Sequence, residues 1–308
     1  MLKISSLILI NLFFILPACL APVPIRYEKV IIKESAIIPD SPIASQNNSS
    51  SSVNTSTPAQ NTSVAIKSLN ANKIEKLIWE KTNQERQKFG LNRLEYEDKI
   101  AEIARAHSAN MAENNFFEHT DLQGLDHGDR ISRGYPSLFT SGSAENIAYN
   151  FGDTEEEAAL NLVTAWMNSE GHRRNILNSK MTYLGVGVYI KGERIYGTQN
   201  FVTPVINLET DLSSPREYGK TSSVSFKFYN GVINKNDLTV FVKFPDTQSK
   251  FYLPDNSYFT GRGKYYPQWL DDNRFSFSLT LDRGIGDYEI RICEDNYCYD
   301  TSFKIKVN

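Results

Sequence analysis

Two histidines and one glutamate lie in short polar motifs that are far apart along the chain. His119 lies in FFEHT (116–120), Glu145 in AENIA (144–148) and His172 in SEGHRRNIL (169–177). Imidazoles and a carboxylate drawn from separate segments are the residue types that build a polar site for binding or for acid–base chemistry. All 4 histidines of the chain fall between residues 107 and 172, so any imidazole chemistry belongs to the middle of the chain.

The chemistry open to these residues falls into two classes. His119, His172 and Glu145 are a competent ligand set for zinc or another divalent cation, with one position left open. The same residues allow a hydrolase in which His172 or Glu145 is the general base and a metal-bound water the nucleophile. A serine mechanism with Ser169 activated by His172 needs an oriented base and an oxyanion hole, which the sequence does not reveal.

The motifs belong to a longer ordered series of segments between about Ile74 and Phe201. In order, the segments are NQERQKFGL, AEIARAHSANMAENNFFEHT, GDRISRGY, SAENIAYNFGDTEEEA, AWMNSEGHRRNIL and YLGVGVYIKG. This series resembles the CAP superfamily (cysteine-rich secretory proteins, antigen 5 and plant pathogenesis-related proteins), above all its short prokaryotic branch. The resemblance implies a three-layer α-β-α sandwich in which His119, Glu145 and His172 face a central cavity.

What the resemblance implies about ligands is broader. Some CAP relatives bind a divalent ion in the cavity, so zinc is a candidate cofactor for this chain. Eukaryotic relatives bind sterols and other lipids in nearby grooves, which implies a small, hydrophobic or envelope-derived ligand. No common reaction unites the family.

The chain departs from the family pattern at one position. The pattern has two histidines and two glutamates, and the second glutamate normally follows the helix tryptophan by one turn, where this chain has Ser169 after Trp166. Either the helix ends early and Glu170 turns into the cavity, or Ser169 lies there and the site keeps one carboxylate. We favour Ser169. Such a site lacks an obvious acid–base pair. Among the possible functions we therefore rank a ligand-binding envelope module first, a metal-assisted hydrolase second and a structural surface adhesin third.

The remaining polar residues of this region have structural interpretations. His107 lies on the apolar stripe of its helix, so we expect a core histidine. His127, within GLDHGDR, is expected in a solvated loop. Asn146 and Asn175 are expected to be buried amides that tie loops together.

Helices come first in the region that must position these residues. Asn72 with Glu75 predicts an N-cap, and Gly90 predicts the end of this first helix. A second helix is expected around residues 100–111. Thr154 with Glu157 predicts a capping box for a third helix, and 171–177 predicts a short turn or helix presenting His172.

Strands follow. Residues 184–190 and 194–202 predict a hairpin, which makes the middle region α+β. Beyond Pro204, short alternating segments separated by turns predict a small all-β, immunoglobulin-like sandwich. Cys293 and Cys298 flank the tip of its last hairpin, so a local disulfide is expected in an exported protein.

The N-terminus carries the features of an export signal. Lys3 precedes an apolar run too short to span a membrane, and Leu16-Pro17-Ala18-Cys19 resembles a lipobox in which Cys19 would be lipid-modified. Cleavage after Ala21 and secretion is the alternative. The expected domains are a lipoprotein-type signal peptide (1–19), a Ser-, Asn- and Thr-rich tether (20–69), a CAP domain (70–204) and a β-sandwich (205–308).

Charge and size exclude one partner class. The formal net charge is -3, and the basic residues are spread among acidic ones, so nucleic acid is not an expected partner. The 308 residues are enough for two modest cores after a leader is removed. The export signal and the lipobox-like sequence together predict a protein on the outer face of the cell membrane, held there by lipid.

Overall fold

The structure is a computed structural model that describes residues 68–229, 235–295, 297–301 and 303–308. The predicted signal peptide, Cys19 and nearly all of the tether lie outside the described residues. Within the described ranges, no helix has the length and apolar character needed to cross a membrane.

Residues 71–208 form a four-stranded sheet with helices on both faces. The elements in chain order are α1 (Ala71–Lys88), β1 (Glu95–Tyr96), α2 (Asp98–Asn114), α3 (His127–Gly134), β2 (Leu138–Asn150), α4 (Glu155–Asn168), α5 (Glu170–Ile176), β3 (Tyr183–Lys191) and β4 (Arg194–Leu208). The central strand β4 pairs antiparallel with β2 on one side and β3 on the other, and β1 adds to β3 in parallel. The predicted helices 1 and 2, the 171–177 helix and the 184–202 hairpin are confirmed.

The alternation of strand residues assigns the helices to two layers. Gly187 of β3 faces α2, where Ser108 donates a hydrogen bond to its carbonyl oxygen. Val186 faces the opposite side and packs in a core with α1 and α4 residues. The buried residues of this core include Ile74, Ile78, Ala158, Leu162, Trp166, Leu184, Val186 and Phe201. The three-layer α-β-α sandwich implied by the resemblance is therefore confirmed.

Glycine at 185 and 187 lets α2 lie directly on β3. A Cβ atom at Gly187 would be 1.9 Å from the backbone nitrogen of Arg105, and one at Gly185 would be 2.3 Å from that of Ala101. Any side chain would therefore push the helix off the sheet. This close approach fixes the height of α2, and of His107 on it, above the strands.

The helix caps match the sequence expectations in one case and not in the other. Thr154 caps α4 by accepting a hydrogen bond from the Glu157 backbone N–H, as predicted. The cap of α1 is Asn70, not the predicted Asn72, and its side chain accepts from the Lys73 N–H. The Asn70 N–H in turn donates to Glu155 of α4, 3.2 Å away. This long-range contact favours the earlier start.

The C-terminal region is a β-sandwich, as predicted. Its strands are β5 (Thr221–Phe228), β6 (Leu238–Lys243), β7 (Lys250–Tyr252), β8 (Tyr258–Thr260), β9 (Arg262–Tyr265), β10 (Gln268–Trp269), β11 (Arg274–Thr280), β12 (Gly286–Glu294), β13 (Tyr297–Cys298) and β14 (Lys304–Val307). One sheet contains β5, β11 and β10, and the other contains β14, β12, β13, β6 and β9. Between them lies a core rich in Phe, Val and Ile. Cys293 and Cys298 form the expected disulfide.

Strand β4 takes part in both halves of the molecule. Its residues 195–207 pair with β2, and its last residues, Ile206 to Leu208, pair with β5 of the β-sandwich. The expected boundary between residues 204 and 205 therefore falls inside a strand. The two halves share one hydrogen-bonded sheet at this point.

Candidate functional site

Glu145 lies at the centre of the candidate site. It is a residue of β2, opposite Asn200 of the central strand, and its side chain is fully buried on the α2 face of the sheet. His119 Nδ1 lies 2.9 Å from its Oε1, and Arg130 Nη2 lies 2.6 Å from its Oε2. Both carboxylate oxygens are therefore engaged by nitrogen donors.

The loop after α2 carries His119 to this carboxylate. Helix α2 ends at Asn115, whose left-handed backbone (φ 55°) turns the chain away from the helix axis. Four residues later the chain reaches His119, which therefore lies beyond the helix. Asp121 then closes a turn by accepting hydrogen bonds from the N–H groups of Gln123 and Leu125.

Arg130 fastens this loop to the sheet. It lies on α3, which starts after the N-cap Asp126. Its Nη1 donates to the carbonyl oxygens of His119 and Leu125, at 2.9 and 2.8 Å, while Nη2 binds Glu145. One buried guanidinium thus positions the loop that bears the imidazole and compensates the charge of the carboxylate.

The electrostatics of Glu145 follow from these partners. Burial alone would raise the pKa of the carboxyl group, because a low-dielectric interior disfavours its charged form. The hydrogen bond from His119 and the charge of Arg130 outweigh burial and lower the pKa of Glu145 to about 2. The carboxylate is therefore ionised at neutral pH and acts as an acceptor only.

This charge state fixes the tautomer of His119. An ionised carboxylate offers no proton, so the hydrogen at the 2.9 Å contact belongs to His119 Nδ1. In the neutral form of the ring, this tautomer leaves a lone pair on Nε2, and Nε2 has no hydrogen-bond partner among the described residues. The side chain of His119 is 31% exposed, so part of the ring is accessible from outside the fold.

Two further histidines, His107 and His127, are buried in the interior near Glu145. His107 is buried on α2, as expected for a core histidine, and its Nε2 lies 3.1 Å from the Glu118 carbonyl oxygen and 4.0 Å from Glu145. Burial lowers the pKa of His107 to about 4. His127 is also buried, as the first residue of α3, and burial lowers its pKa too. The expectation of a solvated loop for His127 is wrong, because α3 packs it against β2 near Ser143.

His172 lies on α5, which buried amides hold against β2. The Asn146 side chain donates to the His172 carbonyl oxygen, and Asn175 donates to the Glu145 carbonyl oxygen and to the Asn146 side chain. Asn146 and Asn175 are thus the loop-tying amides that the sequence predicted. Their contacts bring the backbone of His172 next to the strand segment that carries Glu145.

Ser169 and Glu170 have different surroundings. Ser169 is half-buried at the junction of α4 and α5, so helix α4 does end early. Glu170 nevertheless does not turn inward: its side chain is 84% exposed and pairs with Arg174 at 3.6 Å. The possibility that Glu170 supplies the second carboxylate is wrong, because a start of α5 at Glu170 directs this side chain to solvent.

The donor set does not fit the predicted zinc ion. No group of three or more His, Cys, Asp or Glu side chains in the described ranges is arranged to hold a metal ion, and this includes His119, Glu145 and His172. Glu145 gives one oxygen to His119 and the other to a guanidinium at 2.6 Å. A dication bound to this carboxylate would have to displace or face the charge of Arg130.

Two exposed aromatic side chains, Phe117 and Tyr149, contact each other on the Glu145 side of the sheet. Phe117 contacts Tyr149 edge to face, with ring centroids 5.2 Å apart, and the two side chains are 38% and 43% exposed. Tyr149 lies four residues after Glu145 on β2 and so points to the same face of the sheet. An exposed aromatic pair therefore lies on the Glu145 side of the sheet, with Phe117 two residues from His119 along the chain.

Sequence reasoning missed Arg130 and the helix that carries it. Asp126 accepts a hydrogen bond from the Asp129 N–H, and an aspartate three residues before another acidic residue is a recognisable N-cap pattern. That pattern could have predicted α3 and removed His127 from a loop. No local pattern indicates that Arg130 would reach a carboxylate 15 residues away.

The fold and site agree with the family to which the sequence is matched. The model of the CAP family, described as the cysteine-rich secretory protein family, matches residues 79–203, so this part of the chain is a CAP domain. The matched region contains Glu145, His119, Arg130 and His172.

Two bacterial proteins and one bacterial protein of solved structure are similar to part of the chain. The uncharacterized membrane protein YlbC of Bacillus subtilis is 44% identical over 128 residues, 42% of this chain and 34% of that protein. The uncharacterized protein YkwD of the same organism is 39% identical over 159 residues, 52% of this chain and 58% of that protein. An extracellular SCP-domain protein from Bacillus anthracis has a solved structure that is 35% identical, with a TM-score of 0.38, over 43% of this chain and 41% of that chain. The chain thus spans less than two thirds of each of these relatives.

Proposed function

We propose that this is an exported cell-envelope protein whose CAP domain binds a small ligand through His119. The observation that carries the proposal is the Arg130–Glu145–His119 chain of contacts. A buried ion pair holds an imidazole by Nδ1 and leaves Nε2 open at a half-exposed position. Pre-organised groups of this kind bind without the entropic cost of ordering a flexible side chain.

The ligand class follows from the groups around Nε2. A lone pair on Nε2 accepts a hydrogen bond from a hydroxyl or an amide N–H group. The exposed rings of Phe117 and Tyr149 add an apolar surface on the same side of the sheet. A small amphipathic molecule with one hydrogen-bond donor and a hydrophobic portion fits both features.

Binding is favoured over hydrolysis by the state of Glu145. A general base works best with a pKa near the working pH, whereas the pKa of Glu145 is lowered to about 2. With Glu170 turned to solvent, Ser169 stands where the family has a second carboxylate. The acid and base pair that a hydrolase needs is therefore not supplied by these residues.

A ligand-retention experiment tests the proposal. The full-length chain is incubated with a small-molecule extract of cell envelopes, separated from free material and analysed by native mass spectrometry. We expect a retained species with the wild type and with Glu170→Gln, the matched control in the same region, but not with His119→Ala. Equal retention by His119→Ala would reject the site. Products that accumulate with time and disappear in His119→Ala would make the protein an enzyme.

Attachment to the membrane forms the second part of the proposal. The support is the lipobox-like Leu16 to Cys19 sequence, which would place lipid on Cys19 and hold the CAP domain outside the membrane. We expect Cys19→Ser to move the protein from the membrane fraction to the medium or to halt its processing. A wild-type protein found in the medium and cut after Ala21 would reject the anchor.

A further inference from the structure

The β-sandwich has an outward sheet face on which cations and aromatic rings alternate. On β6 and β9 the inward residues are buried, whereas Phe241, Arg262 and Lys264 point outward. Arg291 of β12, Phe241 of β6 and Lys264 of β9 are directly opposite one another across neighbouring strands. We call Phe241, Phe259, Arg262, Lys264, Tyr266 and Arg291 the basic-aromatic face.

Two of the three cations of this face lie over aromatic rings and not beside carboxylates. Arg262 lies 5.6 Å from the ring centroid of Phe241 and 5.2 Å from that of Phe259. Lys264 lies 5.9 Å from the ring centroid of Phe241 and 5.3 Å from that of Tyr266. These contacts orient the cationic groups while leaving their charge uncompensated.

The nearby acidic side chains are already neutralised. Glu289 pairs with Lys243 and Asp287 pairs with Lys304, each at 3.5 Å. Arg262, Lys264 and Arg291 have no ion-pair partner within the parts of the chain that the structure describes. A chain with a formal net charge of -3 therefore carries an excess of positive charge on one face of its C-terminal domain.

We propose that the basic-aromatic face binds an anionic polysaccharide. Carboxylate groups on such a chain can pair with Arg262, Lys264 and Arg291, and Arg can do so through two parallel hydrogen bonds. The C–H face of a sugar ring can pack on Tyr266, which is 63% exposed and offers an open ring beside Lys264. Arg291 and Lys264 lie on the two sides of Phe241, two strand spacings or roughly 9.6 Å apart, which suits a linear chain that presents carboxylates at intervals along its length.

A membrane surface fits the same face less well. Rings that anchor a protein in a bilayer must leave the surface and enter the acyl region. Phe241 and Phe259 are only partly exposed, and Arg262 lies over both rings. An anionic lipid surface would satisfy the cations but leave the ring-and-charge alternation unused.

Binding of the full-length chain to polygalacturonate, with neutral dextran as reference, tests the charge requirement. We expect saturable binding to polygalacturonate, no binding to dextran, and about tenfold or greater loss in Arg262→Gln/Lys264→Gln/Arg291→Gln. A matched triple variant, Arg133→Gln/Lys180→Gln/Lys220→Gln, removes the same charge from exposed positions elsewhere and should bind like the wild type. Equal loss in both triple variants, or loss in neither, would overturn the proposal.

Two further arms separate sugar recognition from simple charge attraction. Tyr266→Ser keeps every cation, so weaker binding of polygalacturonate by this variant supports ring packing, and unchanged binding overturns it. Vesicles containing phosphatidylglycerol should bind more weakly than polygalacturonate at equal concentration of anionic groups. Tighter binding to the vesicles would assign the face to a membrane and reject the polysaccharide.

Discussion

The burial of His107 predicts a loss of stability in mild acid. Its pKa is lowered to about 4 in the folded protein, from the ordinary value of 6.5 that it has in an unfolded chain. As the pH falls below 6.5, the unfolded chain takes up a proton that the folded chain does not, so folding becomes less favourable. The contribution is complete above pH 6.5 and is lost progressively down to about pH 4.

The size of this effect follows from the same values. Between about pH 7.5 and about pH 5, the unfolded histidine gains a proton over roughly 1.5 pH units while the folded one stays almost neutral, which removes about 2 kcal/mol of unfolding free energy. Glu145 adds little in this window. Its pKa is lowered to about 2, so its contribution is present above the ordinary value of 4.5 and falls only in stronger acid.

Urea unfolding at these two pH values measures the effect. The signal is the fluorescence of Trp79 and Trp166 in a Trp269→Phe background, so that it reports on the CAP domain. His107→Gln removes the titration and keeps a donor for the Glu118 carbonyl oxygen. We expect the difference in unfolding free energy between the two pH values to be about 2 kcal/mol smaller in His107→Gln than in the parent.

A control separates titration from packing. Phe116 lies against the His107 ring, with centroids 6.2 Å apart, so Phe116→Leu disturbs the same surroundings without removing a titrating group. We expect it to lower stability by a similar amount at both pH values. A His107→Gln protein whose pH dependence equals that of the parent would refute the argument.

Three other outcomes follow from contacts described above. Arg130→Met leaves the buried carboxylate of Glu145 without its guanidinium, so urea unfolding should show a loss of about 3–5 kcal/mol, partly recovered in Arg130→Met/Glu145→Gln. No recovery in the double variant would show that Arg130 acts through its carbonyl contacts alone. Zinc should change the melting temperature of wild type and His119→Ala/His172→Ala equally, and a wild-type response that the double variant lacks would restore a shared metal site. Gly187→Ala should cost about 2 kcal/mol or more because its Cβ would meet α2, whereas Gly142→Ala, with its nearest neighbouring atom at 3.9 Å, should cost much less.

The parts of the fold that could be predicted are those set by neighbouring residues. Thr154 and Glu157 lie three positions apart and identify the start of α4 without outside help. Asn72, with Glu75 three residues later, is the better N-cap candidate by local sequence, and the observed start at Asn70 involves a contact with Glu155, 85 residues away. A window of sequence contains no information on that contact.

The candidate site also depends on contacts between distant residues that local sequence does not predict. Motif resemblance indicated that His119 and Glu145 belong together, and the structure brings them within hydrogen-bond distance. The role of Glu145 depends on Arg130, however, because a guanidinium on its second oxygen turns a prospective metal ligand or base into a support for His119. Glu170 illustrates the reverse case: an early end of α4 was one of two alternatives that the sequence left open, but the helix ends early without turning this side chain inward.

The shared strand β4 has a mechanical consequence. Domains joined by a flexible linker are expected to move relative to each other. Here the backbone continues from the CAP sheet into the sandwich without leaving hydrogen-bonded pairing, since Ile206 pairs with both Phe139 and Phe228. A pull applied across the two halves would therefore be transmitted through a strand that is hydrogen-bonded in both of them.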